Sequence, residues 1–184
     1  MKEMTKVLSW TVLEYRELSS REKLLFEGAQ RARLNAQAPF SNYYVGAAVM
    51  AEGGSIYLGC NVERASWTQT THAEQNAIDT MVTWEGPAKI IKLALLAAPK
   101  GVSINLPPEK TVEELKNFDQ IPVPCGHCLQ IIWENCHNDG SVEIFSLCPS
   151  GQVGKITIDN AFPLRFGPND LGVDYEMTSA NLNR

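Results

Sequence analysis

Two short words in the chain, His72-Ala73-Glu74 and Pro124-Cys125-Gly126-His127-Cys128, hold side chains that could work on a metal. By itself a C-x-x-C spacing serves disulfide exchange, structural zinc and catalytic zinc alike, and two ordinary buried cysteines would fit it too. Joined to His72, the two cysteines become three zinc ligands, one imidazole and two thiolates, which leave a fourth tetrahedral position for water. Such an open position means catalysis rather than scaffolding. Glu74, two residues past His72, would stand beside the metal without being its natural fourth ligand, placed to take a proton from water and return it to substrate. The competing readings are a redox dithiol, which would be expected after a strand and a Trp and without H-x-E, and a structural zinc knuckle, which needs a further Cys or His. His127 lies between the cysteines and reads as pointing away.

Both words must sit at helix starts for this to work, because a helix N-terminus offers unpaired N–H groups and partial positive charge to thiolates and anions. The pattern places them there. "TTHAEQNAIDTMVTW" reads as a helix capped by Thr70 or Thr71 with Ala73, Ala77, Ile78 and Met81 on one face, and "CGHCLQIIWENC" reads as another. Upstream, Ser19 and Glu22 form a capping box ahead of Leu24, Leu25, Ala29 and Ala32. Tyr43 to Met50 and Ile56 to Cys60 read as a hairpin turned at "AEGG". "IIKLALLAA" reads as a central strand covered on both faces, and "VEIFSLC" and "KITID" as two more strands. The stretch from Pro99 to Pro124 is long and proline-rich, with a capping box of its own at Thr111 and Glu114, and reads as a lid-like loop with a short helix. This order predicts an α/β fold, a mixed central sheet of about five strands with helices on its faces.

The chain has 184 residues, of which 44% are apolar and 20% charged, as for one globular domain with extensions. Its net charge of -5 disfavours a protein that grips a phosphate backbone and favours a small or neutral partner. The N-terminal segment is interrupted by Lys6, Glu14, Arg16 and Glu17, so no signal-peptide core is expected, and no run approaches the roughly 20 apolar residues of a membrane span. Five cysteines without a secretion signal point to a reducing, cytoplasmic compartment, with Cys60, Cys136 and Cys148 as inert core thiols.

The words "APFSNYYVGAAV", "GCNVERASW", "THAEQNAI", "PCGHCLQ" and "FGPNDL", in that order, resemble the cytidine deaminase family from about Glu22 to Leu171. The H-x-E and P-C-x-x-C pair is also the signature of zinc-dependent nucleobase deaminases. The resemblance implies a three-layer fold and hydrolytic deamination of cytidine or deoxycytidine to the uridine form with release of ammonia. One zinc per subunit would be held by His72, Cys125 and Cys128, with Glu74 as proton shuttle. Asn61 and Glu63 match the pair that holds the ribose hydroxyls. Tyr43 stands where a Phe usually packs on the base, and Phe166 matches an aromatic contributed by a neighbouring subunit of a homo-oligomer, dimer or tetramer. The N–H of Ala73 would bind the base carbonyl, and the carbonyl of Val123 would accept from the departing amino group. On the residues alone, Asn61 and Glu63 could equally be turn residues, and Tyr43 and Phe166 core or interface aromatics. Zinc with two thiolates and a neutral imidazole sums to zero charge, and Gln75 after the Glu, where three-cysteine members carry Arg, suits a His-ligated site.

Departures from the family pattern mark where specificity would be decided. Arg64 follows Glu63 where Asn is common, Trp67 stands where an aromatic, often Tyr, is expected near the subunit contact, and the Pro99 to Val123 connection is roughly twenty residues longer than usual. The expected organisation is therefore an N-terminal extension (1–18), a deaminase-like domain (19–172) with an inserted loop at about 99–123, and a polar tail (173–184). The insertion is expected to act as a lid or subunit contact that alters which cytosine nucleosides enter. The closest rival substrate is a modified cytosine nucleoside or nucleoside antibiotic; a nucleic-acid base is disfavoured by the acidity and by the Asn61/Glu63 pair.

Overall fold

The computed structural model describes residues 2–109 and 121–173, so the Thr111/Glu114 capping box and the tail beyond Val173 lie outside the described residues. Among the described residues, a mixed sheet of six strands runs in the order β1-β6-β5-β4-β2-β3. Its strands are β1 (Thr11–Glu14), β2 (Tyr43–Ala51), β3 (Ile56–Cys60), β4 (Ile90–Pro99), β5 (Glu143–Leu147) and β6 (Gln152–Thr157). The helices are α1 (Ser20–Arg33), α2 (Ala73–Glu85), α3 (Gly126–Glu134) and the single turn α4 (Ile158–Ala161). The sixth strand, one more than about five, is β1, which pairs with the sheet edge at β6 through Thr11 to Glu14. Its four residues, half exposed on that edge, carry too little alternation to be read as a strand.

Alternation along the central strands divides the core into two layers. Ala47, Val49, Leu93, Leu95 and Ile144 point to α2 and α3, where Ala77, Ile78, Met81 and Ile132 meet them. Ala48, Met50, Ala94, Leu96 and Phe145 point the other way, onto Leu25, Phe26 and Ala29 of α1. Ser19 caps α1 by accepting from the N–H of Glu22, whose carboxylate accepts from the Ser19 N–H, completing the predicted box. Two glycines set the helix spacing: a Cβ on Gly46 would overlap the Ala29 carbonyl of α1, and one on Gly59 would overlap the backbone of Ala73 and Ala77 in α2.

The topology also decides where a site can be. β4 and β5 are parallel, so the chain must cross over between them, and α3 lies in that crossover. β2 is antiparallel to both β3 and β4. The start of β2, the ends of β3 and β4, and the starts of α2 and α3 are thereby gathered at one end of the sheet. Open α/β sheets place ligands at this end.

The long segment after β4 departs from the lid-like reading in its first part. Gln30 Nε2 donates to the Ile104 carbonyl at 2.6 Å, and Arg33 Nη2 donates to the Val102 carbonyl at 3.0 Å. Ile104 and Leu106 pack on the α1 layer. Apolar side chains spaced two apart found a core layer with room for them.

Candidate active site

His72 and Cys125 are the N-cap residues of α2 and α3, and neither side chain is spent on a capping hydrogen bond. The helix starts one residue later than a Thr71 cap and two later than a Thr70 cap would put it, which leaves the imidazole at the helix mouth. His72 Nδ1 lies 3.4 Å from Cys125 Sγ and 3.3 Å from Cys128 Sγ. All three ligand atoms fall within 4.8 Å of one another. With Zn–S near 2.3 Å and Zn–N near 2.05 Å, a tetrahedral site has N···S edges of about 3.6 Å, so the three donors fit zinc. Burial, then the charge of Glu74 and the proximity of Cys125, push the Cys128 thiol far above its ordinary range. Such a thiol ionises when a cation takes the place of its proton.

Glu74, in the first turn of α2, is 7% exposed. Its carboxylate reaches the Cys128 thiol and forms part of a cavity of about 510 Å³ that also contains Tyr43, Asn61, Glu63, Ala73, Val123 and Cys125. The cavity therefore brings together every residue the sequence reading assigned to metal, proton transfer and substrate except the buried Cys128 and Phe166. Phe166 is 59% exposed and away from this cavity; its carbonyl accepts from Gln130 of α3 at 3.0 Å.

The far end of the cavity is polar and held in place. Glu63 Oε2 accepts from the N–H of Phe40 at 2.8 Å and of Ser41 at 3.1 Å. Burial works to raise the Glu63 carboxyl, but the Ser41 side chain and these two N–H groups overcome it and hold the group below the ordinary carboxylate range. Asn61 Oδ1 accepts from the Val45 N–H at 3.0 Å while its Nδ2 donates to the Tyr43 carbonyl at 2.9 Å. Both side chains are fixed by backbone, so their remaining hydrogen-bonding capacity is pre-aimed.

Several lining residues escaped the sequence reading. Val45, Leu95, Ala97 and Pro122 complete the walls. The near-continuous apolar run of β4 gives no alternation from which the wall-forming face could be chosen. Trp67, read as lying near a subunit contact, also lines the cavity and stacks tilted on Phe40 at 5.6 Å between ring centroids. Its φ of +53° is left-handed, which costs a bulky residue about 1–2 kcal/mol and fixes the tight turn from Arg64 to Thr70. Arg64 itself is exposed and touches the Glu63 carbonyl at 3.4 Å, outside the cavity lining. His127 meets His72 edge-on at 5.6 Å and Gln75 Oε1 at 3.3 Å, leaving the ligand cluster to the other three.

Comparison with known proteins accounts for this constellation. The cytidine and deoxycytidylate deaminase zinc-binding region matches residues 19–140. The chain belongs to this family of deaminases. A cytidine deaminase from Sporosarcina psychrophila is 33% identical over 151 residues, covering 82% of this chain and 93% of that one. One from Halalkalibacterium halodurans is 30% identical, covering 81% and 96% respectively. The crystal structure of a cytidine deaminase from Burkholderia pseudomallei superposes with a TM-score of 0.61 at 26% identity, over 81% of this chain and all of that one. Zinc is the metal of this deaminase family, and the cluster of His72, Cys125 and Cys128 is placed to bind it. Cys136 and Cys148 are buried, with their thiols pushed up to about 12 and about 11 by burial, as fits core residues of this deaminase. No helix among the described residues is long and apolar enough to cross a membrane.

Proposed function

We propose that this chain is a zinc-dependent hydrolase that converts free cytidine or deoxycytidine into uridine or deoxyuridine and ammonia. The observation that carries the reading is one cavity with a three-donor metal cluster and a buried carboxylate at one end and the fixed Asn61/Glu63 pair at the other. His72, Cys125 and Cys128 would hold zinc, which would supply the positive charge that lets water ionise near neutral pH. Glu74 takes one proton from the attacking water and delivers it to N3 of the cytosine as C4 is attacked, then takes the remaining proton from the new C4 hydroxyl and passes it to the amine, which leaves as ammonia when the C4–N bond breaks and the C4 carbonyl forms.

The rest of the cavity orients the nucleoside. Ala73 is the first residue of α2, so its N–H has no acceptor within the helix and is available to the base carbonyl. The Val123 carbonyl, in the loop before α3, accepts from the amino group, and Tyr43 packs on the base. Glu63 and Asn61 take the ribose hydroxyls; an ionised, loop-held carboxylate is well suited to accept from a diol. Phe166 serves the cavity of a second copy in a homo-oligomer, a role supported by the exposure of Leu164, Phe166 and Leu171 on one short stretch. Five cysteines, none in a disulfide, support a cytoplasmic location.

The test is ammonia release from cytidine, deoxycytidine, N4-substituted cytidines, cytosine, adenosine and a cytosine-containing oligonucleotide. Cytidine and deoxycytidine should be the best substrates. Glu74→Gln should keep its zinc and lose at least about 10²–10⁴-fold in kcat; a Glu74→Gln enzyme that turns over normally overturns the proton-transfer role.

A further inference from the structure

Beyond Leu95 and Ser146 the parallel strands β4 and β5 no longer pair, while β4 runs on beside β2 to Pro99. Pro149, just past the end of β5, has no N–H with which to lengthen the ladder. The strands part there, and the crevice at their carboxyl ends is a cavity of about 350 Å³. Open α/β sheets take ligands in such crevices. Val102, Ile104 and Pro108, from the segment after β4, face Leu147 and Pro149 across it. Gly151 seats that segment on the β5–β6 turn, where a Cβ would overlap the Glu109 carbonyl.

The crevice adjoins the catalytic cavity, because Tyr43 and Ala97 line both. Its lining is mainly apolar, and Glu109 is the charged side chain among the described residues that face it. An apolar group gains by entering such a space, whereas an anion would be stripped of water with no cation to meet it.

On the reading that the catalytic cavity holds a cytosine nucleoside, the contacts already assigned orient the ring. The C2 carbonyl meets the Ala73 N–H, N3 faces Glu74 and the C4 amino group meets the Val123 carbonyl. Ala73 lies against β3, since a Cβ on Gly59 would stand 2.3 Å from its carbonyl oxygen. In the sheet, β2 separates β3 from β4. C5 is across the pyrimidine ring from C2, so it points over β2 toward β4, where Ala97 stands.

We propose, resting on that nucleoside reading, that the crevice is a subsite of the same active site and takes an apolar substituent carried on C5 of the cytosine. The substrate class then includes 5-substituted cytosine nucleosides, whose chain passes Tyr43 and Ala97 into the space between Val102, Ile104 and Leu147.

Steady-state ammonia release by the zinc-loaded full chain tests this, with cytidine, 5-ethynylcytidine and 5-(1-hexynyl)cytidine as substrates. The two alkynes pull alike on C4 and differ in chain length alone. KM should be at least about tenfold lower for the hexynyl than for the ethynyl nucleoside, with kcat within about threefold. Ser103 and Asn105 are exposed and line the crevice but not the catalytic cavity. Ser103→Trp and Asn105→Trp, which fill the crevice, should raise the hexynyl KM at least about tenfold while cytidine kcat and KM stay within about twofold. Unchanged cytidine kinetics also establish that each variant is folded. A parent enzyme that turns over cytidine but binds the hexynyl nucleoside no better than the ethynyl one overturns the subsite and leaves the cytidine reading standing. A hexynyl KM equally low in both Trp variants overturns it too, because the chain would then lie in solvent. A parent that releases no ammonia from cytidine overturns the nucleoside reading and the subsite together.

Discussion

Nδ1 of His72 stands 3.3 Å from Sγ of Cys128, although 56 residues separate the two in the chain. Nothing local holds them together: one comes from the mouth of α2 and the other from the first turn of α3, and the sheet topology brings both helix starts to one end. Because the Cys128 thiol is buried and reluctant to ionise alone, the pair makes sense as metal ligands. Cys128→Ser replaces a soft sulfur with a hydroxyl that zinc binds poorly. Zinc measured by mass spectrometry should fall from about one per chain toward none, and ammonia release should fall with it.

Glu63 makes a sharper claim about substrate. Its Oε2 is occupied by the N–H groups of Phe40 and Ser41, so the carboxylate cannot turn away from the cavity without breaking both bonds. Glu63→Gln removes the charge and brings an NH2 that must face either those donors or the ribose. KM for cytidine should rise roughly 10–100-fold, the equivalent of about 1.4–2.7 kcal/mol, with kcat changed much less. A steady-state comparison of the two enzymes on cytidine decides it; an unchanged KM would remove Glu63 from the sugar contact.

The metal cluster and its carboxylate were legible in the sequence because their chemistry is local: H-x-E and C-x-x-C each fall within one helical turn, and capping rules put both at helix starts. The α1 box at Ser19 and Glu22 was legible for the same reason. What the sequence concealed depends on faces and pairings. Val45 and Ala97 become cavity walls only because Tyr43 pairs with Pro99 and Val45 with Ala97, a register that apolar composition does not specify. β1 depends on a partner more than a hundred residues away, which its own four residues do not reveal. Arg33 looks like an ordinary basic residue in a helix's last turn, favourable to the helix dipole; its burial under Val102 arises from the long segment after β4.

Acid stability should depend on the turn between α3 and β5. Asp139 accepts from the Ser141 hydroxyl and N–H and pairs with Lys89 at 3.0 Å, which together lower its carboxyl to about 2. The folded value lies below the ordinary 3.8, so Asp139 contributes stability above pH 4, and that contribution is lost as pH falls from about 4 toward 2. Its partial exposure reduces the full shift to a contribution of about 1 kcal/mol. In urea titrations, Asp139→Asn should be less stable than the parent by about that amount at pH 7, and the difference should shrink below pH 4. A difference that persists unchanged at pH 3 would mean that the carboxylate charge is not its source.

Gly59 links the fold to the chemistry. It lies on β3 where the first turn of α2 crosses, and a Cβ there would overlap the Ala73 carbonyl and the Ala77 N–H. Ala73 lies between His72 and Glu74, so the helix cannot retreat from a new methyl group without moving a metal ligand and the proton-transferring carboxylate together. Gly59→Ala should destabilise the protein by about 1–3 kcal/mol and lower both zinc affinity and kcat. Gly53→Ala is the control, because a Cβ at Gly53 meets nothing within 4 Å, and it should leave stability within about 1 kcal/mol and activity unchanged. Thermal unfolding with and without a zinc chelator separates the two effects: loss of packing alone would lower both melting points equally, whereas a displaced His72 should narrow the gap between them. An unnarrowed gap, with full activity in the folded Gly59→Ala enzyme, would show that the close crossing of α2 over β3 does not position the site.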